Sequence, residues 1–210
     1  MNIDTKNISK TILNVAWMSI ILGLIMEGIL LIASASFGKM PQSKVIIADL
    51  SQKISWSTLV CMGVAVGTAA SRMRPVMMGL AGLIAAPIAF QIAKVIHNSV
   101  AHTLTIGIAG GGPSPLVMAI LKGIEYGVLG FILGKLGTSA SLRSYILTSA
   151  AIGAVFAGIV IVSILKGPPV PTITLVTKGI NELIFPIGCS LVLFVAQKFG
   201  SSIKDEVNAG

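Results

Sequence analysis

"LVMAILKGIEYGVLGFILG" runs from Leu116 to Gly134. It is long enough to cross about 30 Å of hydrocarbon as a helix, yet it carries Lys122 and Glu125 in its middle. A helix buried in a soluble core is usually shorter, and a membrane strand would alternate polar and apolar residues over about ten positions. No such alternation occurs. The stretch therefore reads as a transmembrane helix with two costly charges.

The rest of the chain follows the same pattern. Of 210 residues, 10% are charged and 54% are hydrophobic. Mean hydropathy is +0.94. Charged content this far below the usual ~25% of soluble proteins marks a polytopic all-α integral membrane protein. Six spans are predicted: Ile12–Ala35, Ile54–Ser71, Pro75–Ile96, Leu116–Gly134, Ser144–Leu165 and Thr172–Ala196. Residues 1–210 form one membrane domain on this reading. The formal charge of +8 comes from basic residues scattered singly between the apolar runs. That suits membrane flanks rather than nucleic acid, which would need a basic cluster with aromatics.

The start of the chain resembles a secretion signal, with Lys6, Lys10 and a closing "ASAS" at Ala33–Ser36. The apolar run is too long for a cleaved leader, and it holds Glu27, so a retained first span is expected. With both termini inside, eight Lys or Arg residues lie in inner flanks: Lys6, Lys10, Arg72, Arg74, Lys135, Arg143, Lys198 and Lys204. Five lie in outer flanks: Lys39, Lys44, Lys53, Lys94 and Lys166. The excess favours cytoplasmic termini in a plasma (inner) membrane. Two longer connections share the outer side. One, Gly38–Lys53, holds an apolar patch, Val45–Leu50, read as interfacial; the other is His97–Pro115.

The halves 1–110 and 111–210 can be read as two inverted three-helix repeats, a plan found in transporters. Glu27-Gly28 matches Glu125-Tyr126-Gly127, Gly63 and Gly67 resemble Gly153 and Gly158, and "API" at Ala86–Ile88 resembles "FPI" at Phe185–Ile187.

Five ionisable residues lie well inside spans: Glu27, Lys122, Glu125, Lys178 and Glu182. A charge at the centre of a span costs about 2.5–3.5 kcal/mol on insertion scales, so such residues mark a functional interior. Glu27, Glu125 and Glu182 lie 8, 9 and 10 residues from the outer ends of their spans. At 1.5 Å per residue they share a layer about 12–15 Å deep. Lys122 and Lys178 sit higher, at about 9 Å. Each lysine shares a helix face with a glutamate, at i,i+3 for Lys122–Glu125 and i,i+4 for Lys178–Glu182. Glu27 has no local partner and must be protonated, paired across helices or bound to a cation. Carboxylates in low dielectric can take up and release protons.

Pro87 and Pro186 fall mid-span and are expected as helix breaks whose freed carbonyls line a site. Gly63-x-x-x-Gly67, with Gly79, Gly82 and Ala86, suits close helix packing. "AGGGPSP" at Ala109–Pro115 lacks a P-loop ending and reads as a linker. His97 and His102 are poorly spaced for a metal and too few for paired haems. Cys61 and Cys189 read as small buried residues rather than a disulfide. No nucleophile–base pair appears, so the chain is not expected to be an enzyme, and no cofactor or metal is expected.

Two functions remain. The first is a small transporter or channel for a proton, cation or small solute, with the glutamate layer as its site and a homo-oligomeric assembly. The second is a non-transporting subunit whose charges meet partner spans. A capture subunit served by a separate ATPase is a weaker third.

Overall fold

The structure is a computed structural model that describes residues 5–69, 73–107, 114–137 and 139–208. The described residues form six α-helices and no strand: α1 (Thr5–Ser36), α2 (Ser43–Val66), α3 (Arg74–Thr103), α4 (Pro115–Leu136), α5 (Leu142–Leu165) and α6 (Thr172–Asn208). A short 3-10 turn, Gly67–Ala69, follows α2. The fold is that of an all-α integral membrane protein. Five helices, all but α2, are long and apolar enough to cross a bilayer. Their outward faces carry large apolar side chains, among them Trp17, Ile84, Ile120 and Val155. A soluble monomer does not tolerate such a continuous apolar surface, whereas lipid covers it without cost.

Helix ends follow local chemistry. Ser114 caps α4 by accepting from Val117 N at 3.3 Å, and Pro115 takes the first turn, where a missing N–H does no harm. Gly137, with φ of 71°, ends α4. Ser141 accepts from Ser144 N at 3.2 Å and opens α5. Most of the Ala109–Pro115 linker lies outside the described residues.

The second span is corrected. It does not begin at Ile54, because α2 starts at Ser43. No Gly or Pro lies between Ser43 and Ile54, so the helix continues upstream through polar residues. Val45–Leu50 is therefore part of α2. Lys44, Asp49 and Lys53 lie in its first half, which is why this helix alone fails as a uniformly apolar span.

The helices pack in chain order, α1 against α2, α2 against α3, and on to α6, which returns to α1. Helices α2, α4 and α6 also meet centrally, through Trp56, Tyr126 and Phe185. Small residues set the spacing, as expected for membrane helices. Gly82 of α3 lies directly against the Tyr126 carbonyl of α4, and Gly130 of α4 against the Met78 carbonyl. A Cβ at either site would collide with backbone. Ser57 Oγ of α2 donates to Ser19 O of α1 at 2.6 Å.

Gly82→Ala is accordingly expected to lower stability by about 1–3 kcal/mol, since overpacking forces the helices apart. Gly158→Ala, where a Cβ would meet nothing within 4 Å, is expected to be neutral or slightly stabilising. Thermal unfolding of both variants in one detergent checks the contrast.

Candidate functional site

A vestibule of about 480 Å³ opens at the end of the bundle where α1 finishes and α2 begins. Polar and apolar side chains both line it. Glu27 comes from α1, Asp49 and Lys53 from α2, Lys122 from α4, and Lys178 and Glu182 from α6. Trp56, Phe90 and Phe185 form apolar wall. Trp56 meets Tyr126 and Phe185 edge to face at centroid distances of 5.5 and 6.4 Å. Val60, Val64, Leu129, Leu133 and Leu193 are buried in the same apolar core. On α2 and α4 those residues follow Trp56 and Glu125, toward the opposite end of the bundle. The vestibule opens at one end, and apolar side chains fill the other half.

At the inner end of the vestibule stands a buried triad. Lys122 Nζ donates to Glu125 Oε2 at 2.7 Å and also to Glu182 Oε2. All three side chains are buried. Aromatic faces complete the enclosure, with Lys122 Nζ 5.7 Å from the Trp56 ring centroid and 5.8 Å from that of Tyr126. Glu125 Oε1 and Tyr126 Oη have no hydrogen-bond partner among the described residues. Burying an ammonium is strongly unfavourable unless it is paired and hydrogen-bonded, and here two carboxylates supply that pairing.

The local Lys122–Glu125 pair is as expected, but its second partner comes from a different helix. Glu182 does not pair with Lys178, as i,i+4 spacing suggested. It turns instead to the buried ammonium. Lys before Glu is the weaker order for a helical pair, and the exposed Lys178 side chain reaches the open vestibule.

Glu27 is paired across helices, 2.6 Å from Lys53 Nζ. The glutamates thus divide between two ion-paired centres on one vestibule. Sequence reading missed Lys53 because it was assigned to a flank. A usable signal existed: Asp49, Lys53 and Trp56 stand at i, i+4 and i+7, one face of a helix. That face lines the vestibule. Asp49 also lies 3.5 Å from His97 Nδ1. Among the described residues no three His, Cys, Asp or Glu side chains group as metal ligands. Cys61 and Cys189 are free and buried.

The prolines do not break their helices. Pro87 lies inside an unbroken α3 and Pro186 inside an unbroken α6. Each ring deprives the carbonyl four residues back of its donor, namely Leu83 and Glu182. Neither carbonyl is left to the cavity, because each meets a neighbouring glycine. A Cβ on Gly123 would stand 3.0 Å from Leu83 O, and one on Gly153 3.2 Å from Glu182 O. The prolines therefore shape helix contacts, α3 with α4 and α6 with α5.

The site thus combines a one-sided polar vestibule, a buried triad with one more carboxylate than ammonium, and an apolar seal. No protein-family model, no curated protein and no solved structure matches this chain.

Proposed function

We propose that this protein is a small proton-coupled membrane carrier that admits its solute through the vestibule. The observation that carries this reading is the charge of the buried triad. Lys122, Glu125 and Glu182, all ionised, sum to one negative charge in a site closed to water on one side. One added proton neutralises the site, and its loss restores the charge. Intramembrane carboxylates of this kind form proton relays in pumps and transporters. A metal ion is a poorer occupant, because the Lys122 ammonium already stands between the carboxylates, where a cation would sit.

A carrier fits better than a channel. The apolar half beyond Trp56 offers no continuous polar path, so solute passage needs a second conformation open to the other end. The Lys and Arg bias supports cytoplasmic termini. Once Lys53 is taken out of the flanks, eight basic residues face four.

Side-specific thiol labelling tests the carrier reading. In a Cys61→Ala, Cys189→Ala background, Leu129→Cys places a thiol where the side chain is fully buried. A carrier that alternates is expected to expose it to an impermeant thiosulfonate added on the side opposite the vestibule, in sealed vesicles of known orientation. A thiol unreactive from both sides would rule out alternation.

A second reading, an integral subunit of a larger complex or homo-oligomer, draws on a different feature. An apolar groove of about 330 Å³ runs along the outer α3–α4 seam between Leu83, Gly127 and Phe131, and would seat a partner span. Stoichiometric co-purification with another membrane chain, without flux from the isolated protein, would favour it.

A further inference from the structure

The vestibule's charges are unequally matched. Two of the carboxylates that line it are held by lysines, Glu27 by Lys53 at 2.6 Å and Glu182 by Lys122, while Asp49 lies 3.5 Å from the His97 imidazole. The side chains of two lining lysines, Lys39 and Lys178, form no ion pair or hydrogen bond among the described residues. Lys178 feels Glu182 and Asp49 at longer range, but also Lys53 and Lys122. Lys39 and Lys178 are thus lining charges that no carboxylate contacts, and a concave low-dielectric wall focuses the charge it carries.

Trp56, Phe90 and Phe185 add an apolar part to the lining. At about 480 Å³ the space lies within the range of small-molecule sites. Thr177 and Asn181, which flank Lys178 on α6, add hydroxyl and amide groups to the lining.

We infer that the vestibule binds a small organic anion, with its acid group at Lys178 and its apolar body against Trp56, Phe90 and Phe185. An ammonium acts as a compact point charge without the planar fork of a guanidinium. A carboxylate and a sulfonate of similar size therefore both suit it. This inference takes the vestibule as the solute's entrance and so rests on the carrier reading. It also adds a role for the triad, since a proton taken up with the anion offsets the anion's charge on the way through.

Equilibrium binding tests it. The probe is benzenesulfonate, permanently anionic, against phenyltrimethylammonium, a permanent cation of similar shape. The protein is held in neutral phosphatidylcholine nanodiscs and carries Trp17→Phe, which leaves Trp56 as the reporter tryptophan. Benzenesulfonate is expected to change Trp56 fluorescence saturably, and the cation is not. Lys178→Met should weaken binding roughly tenfold or more, the loss expected for a charged hydrogen-bonding partner. Lys178→Arg should largely restore it.

No saturable change, an equal response to the cation, or unaltered binding by Lys178→Met would overturn the inference. If phosphatidylglycerol nanodiscs alone produce the Lys178-dependent change and benzenesulfonate does not, the anion is a lipid headgroup and the free solute is overturned. Binding needs no flux, so the two readings fail separately. A protein that binds benzenesulfonate but moves no proton keeps this inference and loses the carrier. One that moves protons yet ignores benzenesulfonate keeps the carrier and loses the anion.

Discussion

Lys122→Met is expected to be the most destabilising single change in the vestibule, at about 3–5 kcal/mol, the usual cost of removing one partner from a buried ion pair. The side chain is as long as needed to fill the space, so the loss is electrostatic rather than a cavity. Glu125 and Glu182 would then face each other without the ammonium that both now contact. Replacing both carboxylates as well, in Lys122→Met, Glu125→Gln, Glu182→Gln, should return most of the stability, because neutral groups of matched shape do not carry the desolvation penalty. Denaturant unfolding in a fixed detergent measures both variants. A single variant as stable as the wild type would mean that the triad does not hold the bundle together. A triple variant no better than the single would place the loss in packing.

Glu125→Gln has a different expected result: little change in stability and loss of the site's spare proton. Glutamine keeps the shape and can still accept from Lys122. The remaining Lys122–Glu182 pair is then neutral without any added proton. Glu182→Gln should do the same from the other helix, since the two carboxylates flank one ammonium. Infrared spectra of the protein in lipid provide the readout. Across a pH titration the wild type should gain and lose a carboxylic-acid C=O band that both glutamine variants lack. Glu27→Gln should leave that band in place, because Glu27 is balanced by Lys53 outside the triad.

The separate features differ in how far the chain alone discloses them. Spans that are apolar from end to end are readable from composition. The fourth is expected at Leu116–Gly134 and found at Pro115–Leu136, and the fifth is expected at Ser144–Leu165 and found at Leu142–Leu165. Helix α2 is not readable in this way, because hydropathy reports where lipid is tolerated and not where backbone hydrogen bonds stop. Its polar first half is helical and faces the vestibule, which returns Lys53 and Asp49 to the interior.

The same division applies within the site. Lys122 and Glu125 are near neighbours on one helix, so spacing alone brings them together. The bond from Lys122 to Glu182 joins positions 60 residues apart, and only the approach of α4 to α6 creates it. Glu27 reads as an orphan for the same reason, since its partner lies on the neighbouring helix. The prolines were legible as residues that free a carbonyl. Spacing could not show that Gly123 and Gly153 would stand over those carbonyls.

The central claim is that the triad couples proton movement to carriage, and proton flux in liposomes tests it most directly. Purified protein is reconstituted with a pH-sensitive dye inside, a potassium diffusion potential negative inside, and a mixture of amino acids, organic acids and sugars outside. The wild type is expected to acidify the lumen faster than protein-free liposomes, and Glu125→Gln, equally well folded and inserted, to match the protein-free rate. Acidification by Glu125→Gln at the wild-type rate, or none by the wild type, would contradict the account.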